Sequence, residues 1–269
     1  VRNENAAREY YLPDLVAIYR AHGRRVLAVR GVAEEALGVN TREELARVEG
    51  VLLRRLRAEW MGKGVRMILP ETIYLEPSVE LAPDVTLWPG AVLKGKTRIG
   101  EGCEVGPYAV LEDTVLEPGA KVLAHTVAQG AHLHPGASAG PFARLRPGAV
   151  LMEEVHVGNF VEVKNSLLHK GVKAGHLAYL GDAEVGEGTN IGAGVITANY
   201  DGKRKHKTEI GKKAFIGSNS ALVAPVTIGK DATIGAGSTI SKNAPAGELT
   251  LTRAPQQTVG GWKRPTKKP

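Results

Sequence analysis

Two short clusters in this sequence combine residue types and spacing that suit chemistry. His132 and His134 are separated by one residue, so on a strand both imidazoles would lie on one face, an arrangement that can hold zinc. The run KRKHK, residues 203–207, concentrates positive charge and suits phosphate groups on small ligands. No nucleic-acid recognition motif accompanies these charges, and no aromatic residues are interleaved with them, so we expect no nucleic-acid partner.

Composition limits the class of protein. The chain has 269 residues with a formal net charge of +7. It contains no apolar run long enough to cross a bilayer and no signal peptide, so we expect no membrane partner and a cytoplasmic location. Cys103 is the single cysteine, which excludes an internal disulfide and fits a reducing compartment.

The elements that would position such side chains follow from a six-residue period. A helix has a period near 3.6 and a strand a period of 2, so neither alone explains an aliphatic residue at every sixth position. Repeats of this kind are typical of a parallel β-helix, in which short strands pair with those of the coils above and below. The predicted inward positions are Leu75, Leu81, Leu87, Leu93, Ile99, Val105, Leu111, Leu133, Ala139, Leu145, Leu151, Val157, Val163, Val185, Ile191, Thr197, Ile210, Ile216, Leu222, Ile228, Ile234 and Ile240.

The region before the repeats has a different pattern. Residues 13–23 predict a short helix, and residues 24–31 predict a strand. Thr41 and Glu44 form a capping-box pattern that opens a linker helix ending near Gly62.

Longer phrases identify the chain as similar to a known family. They are EYYLPD from Glu9, GPFARLRPGA from Gly140, HVGNFVEVK from His156, KAGHLAYLGDAEVG from Lys173, NIGAGVITANYDG from Asn190, APVTIG from Ala224 and GWKRP from Gly261. Together they resemble the carboxyl-terminal acetyltransferase portion of the bacterial bifunctional N-acetylglucosamine-1-phosphate uridylyltransferase/glucosamine-1-phosphate N-acetyltransferase. The amino-terminal uridylyltransferase domain of that family, with its Gly-rich nucleotide loop, is missing, and Val1 is not an initiating methionine, so we expect a piece of a longer protein.

The resemblance implies the fold class and the domain organisation. The fold is mainly β, a left-handed parallel β-helix of hexapeptide repeats preceded by a short α/β segment and a linker helix. Residues 1–40 would be the end of the uridylyltransferase domain and the start of the linker, and residues 41–66 the linker helix. Residues 67–245 would form the β-helix acetyltransferase domain, and residues 246–269 a basic tail that completes the site.

The resemblance also implies a reaction. Acetyl would pass from acetyl-CoA to the amine of glucosamine 1-phosphate, giving N-acetylglucosamine 1-phosphate for cell-wall precursors, and the longer parent would convert this product with UTP. The amine attacks the thioester directly, so a base and oxyanion donors are needed. His176 would be the base and Glu162 would orient its ring.

The same family pattern implies the binding residues and the assembly. Glucosamine 1-phosphate would be bound by Arg146, Lys164, Tyr179, Asn190, Asn199 and Lys205. Acetyl-CoA would be bound by Ala193, Asn199, Tyr200, Ser218, Ala236, Arg253 and Trp262. Asn5 matches the magnesium-binding Asn of the uridylyltransferase site, and Mg²⁺ would serve that site only. The active site would lie between the subunits of a homotrimer.

Three alternatives stay open at this point. The coils could be a trimerisation module without chemistry, although the phrase AGHLAYLGD is intact. The acceptor could be another amino sugar or a serine-like amine. Zinc at His132 and His134 is disfavoured, because no third histidine lies one coil of three hexapeptides from either residue.

Overall fold

The amino-terminal residues form two short helical elements. The computed structural model describes residues 1–264 and separates the chain into two compact units, with the boundary after Val51. Helix α1 spans Asp14–Ala21, and a 3₁₀ turn spans Ala33–Ala36. The predicted helix is therefore confirmed, but the strand predicted for residues 24–31 is wrong. Those residues are exposed and pair with no strand of the described chain, and a single extended segment cannot satisfy its backbone groups as a sheet does.

Helix α2 spans Arg42–Gly62 and begins with the predicted capping box. The Glu44 backbone N–H donates to Thr41 Oγ1 at 3.1 Å, and the Glu44 carboxylate accepts from the backbone N–H groups of Asn40 and Thr41. These backbone donors, Asn40 first, lower the pKa of Glu44. No helix within residues 1–264 is long and apolar enough to cross a membrane.

The last turns of α2 pack on the first coil of the β-helix. Leu56 and Trp60 contact its apolar core, and Arg57 Nε donates to the Ile73 carbonyl at 2.8 Å. The 3₁₀ turn Pro70–Thr72 follows a two-residue strand and leads into the coils.

The second unit contains thirty short strands within its described residues, 52–264. The first ten are β1 (Arg66–Met67), β2 (Tyr74–Leu75), β3 (Glu80–Leu81), β4 (Thr86–Leu87), β5 (Val92–Lys94), β6 (Arg98–Ile99), β7 (Glu104–Val105), β8 (Val110–Glu112), β9 (Val115–Leu116) and β10 (Lys121–Val122). The next ten are β11 (Val127–Gln129), β12 (His132–Leu133), β13 (Ser138–Ala139), β14 (Arg144–Leu145), β15 (Ala149–Leu151), β16 (His156–Asn159), β17 (Glu162–Lys164), β18 (Ser166–Leu168), β19 (Lys173–His176) and β20 (Tyr179–Gly181). The last ten are β21 (Ala183–Val185), β22 (Asn190–Ile191), β23 (Ile196–Ala198), β24 (Thr208–Ile210), β25 (Phe215–Ile216), β26 (Ala221–Val223), β27 (Val226–Ile228), β28 (Thr233–Ile234), β29 (Thr239–Ile240) and β30 (Leu249–Thr250).

These strands form three parallel sheets, one for each face of the coil. The first sheet begins with β1 and β4 and ends with β28 and β30, the second runs from β2 to β29, and the third runs from β3 to β27. Within a sheet, each strand pairs with the strand three places later in the chain, except that β28 pairs with β30. Each coil is therefore hydrogen-bonded to the coils on either side. A strand of two or three residues is stable here only because stacking supplies its partners.

The core confirms the six-residue pattern. Every predicted inward residue is buried, and most, such as Leu93, Leu145 and Ile216, have no exposed surface. Serine and threonine hydroxyls in the interior bond to backbone groups, as when Ser220 Oγ donates to the Gly217 carbonyl at 2.7 Å. The fold class predicted from the sequence is a left-handed parallel β-helix of hexapeptide repeats, preceded by a short α/β segment and a linker helix. The β-helix and the linker helix agree with this architecture and with the hexapeptide match reported below, whereas the short segment before the linker helix contains no strand among residues 1–41.

Candidate functional site

The residues predicted to bind the sugar phosphate lie mostly on the second sheet. Glu162 pairs in register with Tyr179 on successive coils, and Lys164 pairs with Gly181. Arg146 follows β14 on the coil before and donates its backbone N–H to the Val163 carbonyl at 2.8 Å. The ladder therefore brings these side chains together on one face, although they come from three separate stretches of sequence.

Arg146 and Glu162 form an ion pair across neighbouring coils. Arg146 Nη1 lies 2.8 Å from Glu162 Oε1, with about two fifths of each side chain exposed. The hydrogen bond to Glu162 raises the pKa of Arg146. Glu162 thereby fixes the guanidinium while leaving its other N–H groups available to an anion.

Lys164 and Lys205 lie side by side although both are cationic. The pKa of Lys164 is lowered, first by its contact with Lys205 and to a smaller extent by burial and by Arg146. Like charges held this close favour the neutral form of a lysine, and an anionic ligand relieves that repulsion. Three cationic side chains, Arg146, Lys164 and Lys205, thus converge on one place.

An inserted loop carries Lys205 to this place. The coil between β22 and β25 is lengthened, with Asn190 paired to Phe215, and an antiparallel bridge joins Tyr200 to Lys205. Asp201 shapes the loop by accepting from the backbone N–H groups of residues 203 and 204 and by pairing with His206 Nε2 at 2.7 Å. These contacts, the Arg204 backbone N–H first, lower the pKa of Asp201 to about 2. The long interval between the predicted inward positions Thr197 and Ile210 is therefore a structured loop.

Asn199, predicted to contact both ligands, is oriented by a hydrogen bond to the preceding coil. Its amide donates to Asp182, whose other carboxylate oxygen accepts from Asn165 Nδ2 at 2.6 Å. A Cβ added at Gly181 would lie 2.8 Å from Asn199 Nδ2 and in steric conflict with the Tyr179 hydroxyl. Gly181 therefore leaves room for the two polar groups of Tyr179 and Asn199 to approach each other.

A second set of predicted residues forms a column on the first sheet. His176 ends β19 and is exposed, and the register of β19 with β22 places Ala193 on the next coil at the same position. On the following coils the same position is occupied by Ser218 and then by Ala236. Two backbone hydrogen bonds of 2.7 Å fix this order, from Asn219 N–H to the Ala193 carbonyl and from Gly237 N–H to the Ser218 carbonyl. With coils spaced by about 4.8 Å, the column is about 14 Å long.

The far end of this column carries a cation. Arg253 Nη2 would lie 3.0 Å from a Cβ at Gly235, which directly precedes Ala236. Arg253 therefore lies at the end opposite His176 and does not reach it. Asn190 is on the same sheet, in β22, one coil beyond Lys173.

Other predicted residues are less constrained. Tyr200 is 63% exposed and donates its hydroxyl to the Gly202 carbonyl at 2.7 Å, while Trp262 is 66% exposed. Residues 265–269 of the predicted basic tail lie outside the described residues. Asn5, the predicted magnesium ligand, uses its amide to bond the backbone of Glu9 at both atoms. Its role toward Mg²⁺ stays a prediction.

The predicted pairing of Glu162 with His176 has no contact to support it. Glu162 lies on the second sheet and bonds to Arg146, whereas His176 lies on the first sheet. Among residues 1–264, no hydrogen bond joins these two side chains. Asp182 has no role among the sequence-based predictions, although it lies inside the recognised phrase that contains His176.

Cavities do not mark this site. One cavity of about 600 Å³ is lined by the third sheet and neighbouring turns, including His169, Glu184 and Lys212, and by none of the predicted site residues. A second, of about 440 Å³, touches Lys205 and Asp182 from the side. The cationic cluster and the column are open surfaces of one chain, so geometry rather than concavity defines them.

Comparison with known proteins identifies the family. Residues 207–242 match the family model described as bacterial transferase hexapeptide (six repeats). A bifunctional protein GlmU of Thermus thermophilus is 91% identical over 262 residues, which is 97% of this chain and 58% of that protein. The chain belongs to the GlmU family and matches the carboxyl-terminal portion of its members. GlmU of Bordetella parapertussis is 46% identical over 269 residues, which is 100% of this chain and 59% of that protein.

The chain spans a little over half the length of these curated relatives, 58% and 59%. Among solved structures, the UDP-N-acetylglucosamine acyltransferase from Campylobacter jejuni superposes with a TM-score of 0.42 and 15% identity, covering 69% of this chain and 71% of that one. A similarity this low carries no argument about activity.

Proposed function

We propose that this chain transfers acetyl from acetyl-CoA to the amine of glucosamine 1-phosphate. The product, N-acetylglucosamine 1-phosphate, would supply UDP-N-acetylglucosamine for peptidoglycan and lipopolysaccharide precursors. The observation that carries the proposal is the convergence of Arg146, Lys164 and Lys205, together with the match to GlmU along the whole chain. A monoester phosphate is anionic, so it would neutralise the positive charge of these three side chains and accept hydrogen bonds from them.

The sugar would lie beside the phosphate on the second sheet. Tyr179 and Asn199 offer a hydroxyl and an amide beside Gly181, and both groups can form hydrogen bonds with the ring hydroxyls of a bound sugar. Asp182 holds Asn199 in place, so its amide orientation is set before the ligand arrives. A sugar that lacks a hydroxyl bonded by Tyr179 or Asn199 would leave that polar group without a partner.

The column on the first sheet would bind acetyl-CoA. Ala193 and Ala236 are small, so an extended pantetheine chain can lie against the coils, with the thioester near His176 and the phosphates near Arg253. The substrate amine attacks the thioester carbonyl, forming the C–N bond, while His176 accepts the proton from nitrogen. The C–S bond then breaks, and the leaving thiolate takes the proton that His176 accepted from nitrogen, which returns His176 to its neutral form. Ser218 lies two coils, about 10 Å, along the column from His176, so it would donate a hydrogen bond to the pantetheine chain.

The two halves of the proposed site lie on different sheets of one chain, which supports a site shared between subunits. His176 and its column are on the first sheet, and the cationic cluster is on the second. The two sheets are different faces of the β-helix and are directed outward in different directions. An acetyl-CoA and a glucosamine 1-phosphate in contact with each other would therefore need the first sheet of one subunit and the second sheet of its neighbour. A closed homotrimer satisfies this geometry for every site, and Trp262 of a neighbour would close it.

The remaining assignments follow from the family. The longer parent would convert the product with UTP to UDP-N-acetylglucosamine in the cytoplasm, and Mg²⁺ with Asn5 would belong to that uridylyl-transfer site. We propose no metal for the acetyl-transfer step.

One assay tests the proposal directly. The purified chain is mixed with acetyl-CoA and glucosamine 1-phosphate, and the released CoA thiol is measured with a thiol reagent. We expect thiol release that depends on the acceptor, is much slower with unphosphorylated glucosamine, and falls about 10²- to 10⁴-fold in His176→Ala. His156→Ala, which removes an exposed imidazole bonded to Ser138, is the control and should leave the rate unchanged. No acceptor-dependent release would favour a trimerisation module, and equal rates with glucosamine would remove the role of the cationic cluster.

A further inference from the structure

A compact group of metal-binding side chains lies on the third sheet, away from both halves of the proposed active site. His132 is in β12, His134 follows that strand, and Glu117 follows β9 on the preceding coil. β9 and β12 pair in register, with Val115 opposite His132 and Leu116 opposite Leu133, so Glu117 and His134 occupy equivalent positions on adjacent coils. No residue proposed for acetyl transfer belongs to this sheet.

The three side chains already converge. His132 Nε2 lies 2.7 Å from Glu117 Oε1, and His134 Nδ1 lies 3.3 Å from the same oxygen. The two imidazole rings are stacked, with centroids 4.2 Å apart and planes inclined by 22°. One ligand atom from each residue falls within 4.8 Å of the others, and among residues 1–264 this is the single group of histidine, cysteine and acidic side chains with that property.

The geometry suits a tetrahedral metal ion. A zinc ion bound at about 2.0–2.1 Å by each ligand requires ligand atoms about 3.3 Å apart. The contact from Glu117 to His134 already has that length, and the contact to His132 needs a small rotation of the Glu117 side chain. The two stacked imidazole rings, with planes inclined by 22°, must also turn so that both nitrogen lone pairs are directed at one ion. All three residues are only half-buried, at 38%, 31% and 21% side-chain exposure for His132, Glu117 and His134, so the fourth position faces solvent.

The backbone beneath these side chains is fixed by the coil. Glu117 N–H donates to the Leu133 carbonyl at 2.8 Å, and His134 N–H donates to the Leu151 carbonyl at 2.8 Å. The Glu117 carbonyl accepts from the buried thiol of Cys103 at 3.0 Å. Because three coils are tied together at this point, the ligand positions are set without a metal, which lowers the ordering cost of binding one.

A second His–Glu pair in the same sheet differs from the Glu117, His132 and His134 group in its number of imidazoles and in the partners of its carboxylate. His169 Nε2 lies 3.0 Å from Glu184 Oε1, but Glu184 also pairs with Lys207 at 2.7 Å, and no second imidazole joins it. Glu117, by contrast, is contacted by imidazoles and by no lysine or arginine within the described chain. Its carboxylate charge is therefore available to a metal ion.

We propose that Glu117, His132 and His134 form a binding site for a divalent transition-metal ion of the zinc type. Two imidazoles with one carboxylate favour Zn²⁺, Co²⁺ or Ni²⁺ over Mg²⁺ and Ca²⁺, which prefer oxygen ligands alone. Zinc was disfavoured from the sequence because no third histidine lies one full coil away. The coil here is shorter than three hexapeptides and supplies a carboxylate instead. The ion would link two coils and stabilise the β-helix.

The test is direct metal binding to the untagged, metal-free chain. Co²⁺ is added while the visible absorption of tetrahedral cobalt is followed, and Zn²⁺ affinity is measured by competition with a chromogenic chelator. We expect one bound ion per chain. The melting temperature should increase with Zn²⁺ and should not change with Mg²⁺. The variants His132→Gln and His134→Gln should lose affinity about 100-fold or more, since even outer-shell changes cost about 10- to 100-fold.

Two further variants keep the result decisive. Glu117→Gln retains the size and hydrogen-bonding capacity of the side chain but removes its charge. The variant should therefore fold normally, and its affinity for Zn²⁺ should nevertheless be much lower than that of the parent. His169→Gln removes the imidazole of the comparison pair and should bind Zn²⁺ like the parent. Absence of stoichiometric binding by the parent, or equal loss in His169→Gln and His132→Gln, would overturn the proposal.

Discussion

Lys164 and Lys205 are brought side by side from different coils, one by β17 and the other by the loop inserted before β24. Their contact lowers the pKa of Lys164, so the free chain holds two ammonium groups in a mutually unfavourable position. Arg146, fixed by Glu162, adds a third cation nearby. Such an arrangement is stabilised when an anion with several oxygens binds between the three side chains.

The first prediction follows from that contact. Lys205→Met keeps most of the length of the side chain and removes its charge. The pKa of Lys164 should therefore rise toward the ordinary lysine value, because a neighbouring like charge no longer disfavours its protonated form. The KM for glucosamine 1-phosphate should rise about 10- to 100-fold, while that for acetyl-CoA stays unchanged. Carbon and nitrogen NMR of the lysine side chain, titrated with pH, measures the first effect, and steady-state kinetics measures the second.

The control for this prediction is Lys121→Met. Lys121 pairs with Glu104 at 2.9 Å on the first sheet, two coils before Lys164 and on a different sheet from it, so its loss should change neither the titration nor the kinetics. An unaltered Lys164 titration in Lys205→Met would show that the two ammonium groups do not interact in solution.

The second prediction separates two roles for Glu162. If it acts through Arg146, as the 2.8 Å contact indicates, Glu162→Gln should loosen the guanidinium and raise the KM for glucosamine 1-phosphate about tenfold with little change in kcat. The pH profile of kcat should then match that of the parent. A large fall in kcat with a shifted profile would instead support the role implied by the family resemblance, orientation of His176.

The third prediction concerns the column of small residues. Ala193→Leu adds bulk beside His176 and should weaken acetyl-CoA binding about tenfold or more, because the pantetheine chain can no longer approach the coils. Calorimetric titration with CoA measures this loss. Ala221→Leu is a matched change at a half-buried alanine of β26 on the second sheet, and it should leave CoA affinity unaltered. Equal loss in both variants would point to general damage to the coils.

The sequence predicted those features that repeat and missed those that depend on contacts between coils. The ladder from Leu75 to Ile240 could be read because each coil presents the same buried pocket, so periodicity alone reports it. The strand predicted at residues 24–31 failed because a short apolar run shows a capacity to pair and not the presence of a partner. The zinc-type group was missed because Glu117 becomes a neighbour of His134 only when the register of β9 with β12 is known.

The candidate site shows the same division. His176, Lys164 and Arg146 were found through recognised phrases, without knowledge of which sheet each occupies. Asp182 was overlooked because its importance lies in bonds to Asn165 and Asn199, each on a neighbouring coil. That His176 and Lys164 lie on different sheets is visible only in the structure, and it changes what an assembly experiment should show.

The last prediction uses this separation. In a homotrimer whose sites join the first sheet of one subunit to the second sheet of the next, inactive His176→Ala chains mixed with inactive Lys164→Ala chains should regain part of the parent activity after subunit exchange. Some sites then take His176 from one chain and Lys164 from the other, so they carry neither defect. Mixing His176→Ala with Arg253→Ala is the matched control, because both residues lie along the first-sheet column and every site would keep one defect. Activity of each mixture is followed by CoA release, with exchange verified by mass spectrometry of differently labelled chains. Rescue in both mixtures would place Arg253 in a site with the neighbour's His176, and rescue in neither would place the whole site within one chain.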